Sequence, residues 1–504
     1  MRPLFPSLLA YVLLASALQR SLWGLVEPVS LLLILMALLV AAAGIGWPRR
    51  PFLQMTVWCG LSVLTLVELV LIYRADRVPS AIRAQRDAWA MYEPLGMALV
   101  IAVLLAATVV MWRSTQRVLR EQVVWMALGA FTVVELGFLY VSPTESVPFS
   151  RAFLLILMGC VVVSYGWNSM PGGRYRFPLM VGLYLLLGAW MLSGWKPPPI
   201  DVWHFQQEAA GHLLAGENPY TSAYGNPRPN PAFYGPDIVK NGKVQSFPYP
   251  PLSLLLDVPG YVEGDVRWSL LIATAAAACL VVATGRRFGL PAGHPAEIAA
   301  AAILCHPRGL YVLQMAWTEP FLFLAMAASA WAIAARRQTL SGFALAAAAT
   351  VKQYGVLWIL PAWSTGRLEW RKMIAGAAVA ALVMLPFVIW DPKAFWLGNV
   401  YFQISGPLRP DSLTVLSAVY LLTATRLPSA LGFIAAILMT WLVLRRPTKD
   451  LASAVLGEGA ILLAFFAFNK VGDMNYYWLI NAVLALAIVV SAAEARSPET
   501  TAQG

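Results

Sequence analysis

Apolar residues occur along this chain in long continuous blocks separated by short polar segments. Clear blocks cover residues 30–45, 131–140, 268–284, 375–388 and 480–491. With their flanks they approach about 20 residues, the length at which a helix crosses a bilayer core of about 30 Å. A helix also satisfies its own backbone hydrogen bonds, as the lipid core requires. The pattern predicts an all-α polytopic membrane protein with roughly 14–16 transmembrane or half-spanning helices.

Composition and charge agree with a membrane location. The 504-residue chain is 59% hydrophobic and 12% charged, whereas soluble domains are about 25% charged. Its net charge of +11 comes largely from short basic clusters between the blocks, which is typical of cytoplasmic loops rather than of a nucleic-acid surface. Placing these clusters inside predicts a multi-pass protein of the cell (inner, cytoplasmic) membrane with a cytoplasmic tail at 494–504. Four arginines in the outer loop at 74–93 do not fit this rule.

Three segments interrupt the succession of spans. Residues 196–265 are rich in proline, glycine and aromatic residues, which excludes a spanning helix there and predicts a large external loop carrying short amphipathic helices. Residues 340–363 indicate two short helices that meet at Lys352 and Gln353. Residues 412–425 are apolar but too few to span, which predicts a short interfacial helix.

Polar and ionisable residues from four separate segments are expected on the same, non-cytoplasmic face. Ionisable groups at membrane depth are costly and usually functional, so these residues are candidates for a binding site. They are Asp201, His306, Glu319, Lys352, Gln353, Asn469, Lys470, Asp473, Asn475 and Tyr476.

Each of these residues also has a purely structural interpretation. Asp201 is well placed to cap the following helix, and Glu319 is well placed as an acidic residue at a helix start. The two lysines, Lys352 and Lys470, have side chains long enough to reach the interface. Tyr476 and the two aromatic residues after it resemble an aromatic belt.

Two histidines and a second carboxylate follow Asp201 at helical spacing. His204, Glu208 and His212 lie three, seven and eleven positions after it, so a helix would place all four on one face. His and Glu four apart can bind zinc, but the order differs from the HExxH of a metalloprotease. The four cysteines show no CxxC spacing, so no disulfide framework is indicated. We therefore favour a hydrogen-bonded acceptor site and expect neither a metal nor a cofactor.

Several motifs resemble membrane glycosyltransferases of the GT-C superfamily. The segments are EAAGHLLAGENPY after Asp201, FPYPPLSLLLDVP, WTEPFLFLA, ATVKQYGVLWILP and FNKVGDMNYYWL. In this order they are most similar to the bacterial polyprenyl-phosphate-mannose-dependent mannosyltransferase-like group. The resemblance covers residues 178–493, which leaves residues 1–177 as N-terminal transmembrane helices of unknown role.

The resemblance implies a metal-independent, inverting transfer of one sugar, such as mannose, from a polyprenyl-phosphate donor to a lipid, glycan or protein acceptor. Asp201 matches the family's general base, and Lys352 with the Asn469–Lys470 pair matches positions near the donor phosphate. Tyr220 ends the turn after the first helix and joins the expected substrate-binding residues. The chemistry is consistent, since an attacking hydroxyl needs a nearby carboxylate and a departing phosphate needs positive charge.

A multi-span lipid or polysaccharide transporter or flippase is the main alternative. Such proteins place polar groups near the bilayer midplane and often contain internal repeats. The chain shows no repeat that relates its two halves, and its polar residues are expected at the outer surface. A transferase at that surface is therefore the favoured interpretation.

Overall fold

The computed structural model describes residues 4–20, 28–46, 117–140, 149–166, 172–194, 196–227, 233–235, 238–446 and 448–496. These residues are overwhelmingly helical, which confirms the predicted fold class of an all-α polytopic membrane protein. In chain order, the α-helices that start before residue 300 are α1 (Leu4–Arg20), α2 (Pro28–Gly46), α3 (Arg117–Tyr140), α4 (Phe149–Ser164), α5 (Arg176–Gly194), α6 (Asp201–Leu214), α7 (Pro251–Val262), α8 (Arg267–Arg287) and α9 (Glu297–Cys305). The later ones are α10 (Pro307–Gln314), α11 (Glu319–Ala334), α12 (Gln338–Val351), α13 (Ile359–Trp363), α14 (Trp370–Trp390), α15 (Pro392–Trp396), α16 (Phe402–Ser405), α17 (Val415–Thr423), α18 (Ala430–Leu444), α19 (Leu451–Ala467) and α20 (Met474–Glu494).

Four helices in the described ranges are long and apolar enough to cross a membrane. They are α5 with the 3₁₀ turn before it (Gly173–Gly194), α8, α14 and α20. Within the same described ranges, nine further apolar helices have 10–17 residues. The expected number of spans stays a prediction, because residues 47–116, including the arginine-rich loop at 74–93, lie outside the described residues.

The last helix, α20, forms the centre of the bundle. Its most apolar window is 94% buried, and it packs against α1, α8, α9 and α19. The N-terminal helices α1 and α2 pack on each other and on α19 and α20, so they share one hydrophobic core with the C-terminal half. In contrast, the corresponding window of α14 is only 11% buried, and its exposed side chains Leu382 and Ile389 suit contact with lipid.

The described residues between 196 and 265 form a layer of short helices and strands. Helix α6 packs on α7, and between them lies an antiparallel sheet of order β1-β3-β2, with β1 Ala223–Tyr224, β2 Val239–Lys240 and β3 Lys243–Gln245. The sheet was not predicted, because strands of two or three residues carry no readable alternation. Its signal is Asn241–Gly242, both at positive φ, the usual pair of a two-residue hairpin turn.

The predicted interruption at Lys352 is confirmed. Helix α12 ends at Val351, Lys352 is extended, and a 3₁₀ helix (Gln353–Trp358) leads into α13. A Cβ atom on Gly355 would overlap the carbonyl oxygen of Ala348, so only glycine lets the chain fold back so closely. Likewise, α17 has nine residues, which agrees with the short helix predicted at 412–425.

Candidate active site

Asp201 is the first residue of α6, and its carboxylate is buried. Oδ1 accepts a hydrogen bond from the Val202 amide at 3.0 Å, and Oδ2 accepts one from the Tyr234 hydroxyl at 2.9 Å. The N-cap residue is Ile200, whose side chain makes no cap, so Asp201 is not the helix cap that its position suggested. A carboxylate in the first turn is still favoured by the helix dipole.

A second buried cluster surrounds Glu319, at the start of α11. Its Oε1 accepts hydrogen bonds from Lys352 Nζ at 2.5 Å, from the Tyr354 hydroxyl at 2.8 Å and from Asn475 Nδ2 at 2.8 Å. Nζ also lies 5.2–5.7 Å from the ring centres of Tyr249, Tyr354 and Tyr476, within the range of cation–π attraction. Lys352 is 4% exposed, so it is a paired buried cation and does not extend to the interface.

Tyr249 connects the two clusters. Burial raises the pKa of its hydroxyl, the negative charges of Asp201 and Glu319 raise it further, and Arg409 acts in the opposite direction. The preceding carbonyl, of Pro248, accepts hydrogen bonds from the side-chain amides of Gln353 at 3.1 Å and of Gln403 at 2.9 Å. The predicted site residue Gln353 therefore positions this loop.

Arg409 is a site residue that the sequence interpretation missed. Its Nη1 donates to Asp473 Oδ2 at 3.3 Å, and its guanidinium lies 3.8 Å from the ring centre of Phe233. Burial lowers the pKa of Arg409, but the nearby carboxylates, Asp473 first and Asp201 second, outweigh it and raise the pKa overall. The only available signal was an arginine in the proline-rich connection GPLRPDS on the face where the other polar residues were expected.

Asn469 and Lys470 hold loops together next to Arg409. Lys470 Nζ donates to the carbonyl oxygens of Ile404 at 2.8 Å and Gly406 at 2.6 Å, and burial lowers its pKa. The Lys470 amide donates to Asn469 Oδ1 at 2.7 Å, and its carbonyl accepts from the Arg409 amide at 3.1 Å. Lys470, a predicted site residue, thus lies next to Arg409, and its ammonium is already hydrogen-bonded to two backbone carbonyls.

The aromatic residues at the start of α20 do not form an interfacial belt. Tyr476 stacks on Phe466 with ring centres 4.2 Å apart and turns towards Lys352. Tyr477 and Trp478 are fully buried, and the Tyr477 hydroxyl donates to the Leu413 carbonyl at 2.6 Å. The belt interpretation is wrong because the surrounding helices cover this turn.

The histidines of α6 form two separate acid–base pairs. His204 Nδ1 lies 2.8 Å from Glu208 Oε1, while His212 Nδ1 lies 2.5 Å from Glu217 Oε2. Glu208 also accepts from the Gly225 amide at 3.1 Å. Within the described parts of the chain, no group of three His, Cys, Asp or Glu side chains is arranged to hold a metal ion.

The surroundings of Tyr220 differ from those expected of a substrate-binding residue. The Tyr220 hydroxyl donates to the Tyr249 carbonyl at 2.7 Å, and its ring packs on Phe247 and Phe387, so it forms a wall of the site.

His306 belongs to another buried cluster, between α3, α10 and α20. Its Nδ1 accepts from the Arg308 amide at 3.1 Å, and its Nε2 lies 3.8 Å from Glu135 Oε1 and 3.0 Å from the side-chain amide of Asn481. Tyr11 also donates to Glu135 at 3.3 Å. The structure therefore places His306 at the contact with the N-terminal helices and away from the Glu319 cluster.

Residues 247–465 match the model of Glycosyltransferase family 87. The match is shorter than half of the chain; it includes Tyr249, Glu319, Lys352 and Arg409, whereas Asp201 lies before it. Comparisons with curated proteins and with solved structures find no match. Together with the polytopic helical fold, the family match supports a membrane glycosyltransferase.

Proposed function

We propose that this protein moves one sugar, a hexose such as mannose, from a polyprenyl-phosphate donor to a lipid, glycan or protein acceptor. The reaction takes place at the non-cytoplasmic face of the cell membrane, proceeds with inversion and requires no divalent metal. Asp201 is the general base. The observation that supports the proposal is the buried Asp201 carboxylate, which accepts from the Tyr234 hydroxyl and whose charge raises the pKa of both Tyr249 and Arg409.

The proposed chemistry follows from these positions. An acceptor hydroxyl becomes a better nucleophile as a carboxylate removes its proton, which contributes about 10²–10⁴-fold in rate. The Tyr234 hydroxyl donates to Asp201 Oδ2 and fixes the orientation of the carboxylate. Positive charge from the other side of the site stabilises the lipid phosphate as it leaves.

The test is sugar transfer by the purified full-length protein with a panel of radiolabelled polyprenyl-phosphate sugars. We expect one donor to be used, and Asp201→Asn to reduce transfer by at least about 10²-fold with unchanged expression. Asp450→Asn is the matched control: Asp450 caps α19 by accepting from the Ser453 amide, and asparagine caps nearly as well.

Three results would count against the proposed function. If Asp201→Asn retains most of the activity, Asp201 is not the base, and Glu319 or Asp473 becomes the next candidate. Activity that disappears in EDTA and returns with zinc or manganese would contradict the metal-independent mechanism. A wild-type protein that transports the lipid without transferring sugar would favour the transporter alternative.

A further inference from the structure

The cationic side chains near Asp201 differ in how fully the protein already uses them. Lys352 is enclosed by three tyrosine rings and bound to Glu319. Lys470 donates to two backbone carbonyls. Lys352 is only 4% exposed, and Lys470 already uses two of its three N–H donors, which makes each a poorer first ligand for a phosphate than a cation with several donors left.

Arg409 is different, because most of its donors are still available. Guanidinium has five N–H donors, and among the described residues Arg409 uses one of them, Nη1, on Asp473 at 3.3 Å. Its side chain is 23% exposed, so the group is not sealed from solvent. The fork is nevertheless held in place by the Phe233 ring and by the backbone bond from Arg409 to Lys470.

The general base and this cation are positioned by neighbouring residues of one loop. Phe233 lies against the Arg409 guanidinium, and Tyr234 donates to Asp201. An inverting displacement needs the base on the acceptor side of the anomeric carbon and the cation on the leaving-group side. Two adjacent loop residues that hold these two groups suit such an arrangement.

We propose that Arg409 binds the phosphodiester of the lipid-linked donor and stabilises the polyprenyl phosphate monoester that leaves. In this step the acceptor oxygen forms a bond to the anomeric carbon, and its proton passes to Asp201. The bond from the anomeric carbon to the phosphate oxygen breaks, and its electron pair stays on the phosphate facing Arg409. The proposal rests on the proposed function, and it assigns to Arg409 the role near the donor phosphate that the family resemblance implied for Lys352 and Lys470.

The experiment measures binding to the full-length protein in detergent, so that it does not depend on turnover. The probes are polyprenyl phosphate, the polyprenol of the same chain length and inorganic phosphate. We expect Arg409→Gln to weaken polyprenyl phosphate binding by about 10- to 100-fold, the range for a lost charge-assisted hydrogen bond, and to leave polyprenol binding unchanged. The affinity of Arg409→Lys for polyprenyl phosphate should lie between those of the wild type and Arg409→Gln, because lysine keeps the charge without the planar fork.

Two further variants separate binding from a structural role. Asp473→Asn removes the ion pair but keeps the guanidinium, so it should retain affinity for polyprenyl phosphate within about threefold. Arg426→Gln is the matched control, since Arg426 is exposed and also lies over a tyrosine ring, Tyr420, in the same part of the chain. It should bind all probes as the wild type does.

Several outcomes would overturn the proposal. Wild-type affinity in Arg409→Gln would do so, and so would equal losses in Arg409→Gln and Asp473→Asn, which would indicate an ion pair with a structural role only. Inorganic phosphate that binds as tightly as polyprenyl phosphate would contradict a lipid ligand. If the wild type transfers sugar and Asp201→Asn does not, while Arg409→Gln binds normally, the proposed function stands and only this inference fails.

Discussion

At the scale of single residues, the site depends on charges that are buried in pairs. Glu319 is fully buried and Lys352 nearly so. Each charge compensates the other in place of the water that both have lost. A buried ion pair often adds little net stability, but removing one partner leaves a charge without compensation and typically costs about 3–5 kcal/mol. The three tyrosines around Lys352 strengthen this arrangement by presenting their ring faces to the ammonium.

The first residue-scale prediction is a double-mutant cycle on this pair. Lys352→Met and Glu319→Gln should each lower the free energy of unfolding by about 3–5 kcal/mol, and the double variant should lose less than the sum. Denaturant unfolding in detergent, followed by tryptophan fluorescence, measures this. Lys393→Met, at an exposed lysine, is the control and should change stability by about 0.5 kcal/mol or less. Strict additivity of the two single effects would mean that the pair is not coupled.

At the scale of elements, a distorted helix supports the loop that carries Tyr249. A π-helical turn (Leu397–Tyr401) joins α15 to α16, and such turns frequently occur at functional sites. The turn brings Gly398 against the backbone of Phe247, where a Cβ atom would overlap the carbonyl oxygen. Gln353 and Gln403 then hold the next residue, Pro248. Two elements distant in sequence thus set the position of Tyr249.

The prediction for these elements concerns Gly398→Ala. The added methyl group should displace the 246–248 loop and cost about 1–3 kcal/mol in stability. Transfer should fall further, on the order of 10²-fold, if a site group moves by about 1 Å. Thermal unfolding and the transfer assay report the two effects separately. Gly182→Ala, on α5 with nothing within 4 Å of the new methyl group, should be neutral or slightly stabilising. Normal turnover by Gly398→Ala would show that the turn does not position the site.

At the scale of the whole molecule, the site residues gather at one end of the bundle. Helix α19 has 17 residues, about 25 Å at 1.5 Å per residue, and separates the basic cluster at 445–449 from Asn469 and Lys470. The positive-inside rule assigns the basic cluster to the cytoplasm. The site, including Asp201 and Arg409, is then expected on the opposite side of the membrane.

Topology is tested by cysteine labelling in a background without native cysteines. Glu217→Cys and Asp411→Cys, at exposed positions on the site end, should react with an impermeant maleimide added outside intact cells. Lys449→Cys, also exposed, should react only after permeabilisation. Labelling of Lys449→Cys from outside, or of only one of the other two, would contradict the common external site.

The sequence by itself determined the helical membrane class, the interruption of the spans at 196–265 and the helix break at Lys352. These features follow from local pattern, because the lipid core imposes apolar runs of fixed length, and proline, glycine or charge interrupts them. Tertiary structure alone decided which charges meet. Lys352 and Glu319 are 33 residues apart, Arg409 and Asp473 are 64 apart, and Asn475 and Glu319 are 156 apart. No local pattern encodes such pairings, which arise when packed helices bring buried polar groups together and each must find a partner. For that reason Arg409 and the contact of Glu135 with His306 became visible only in the folded chain.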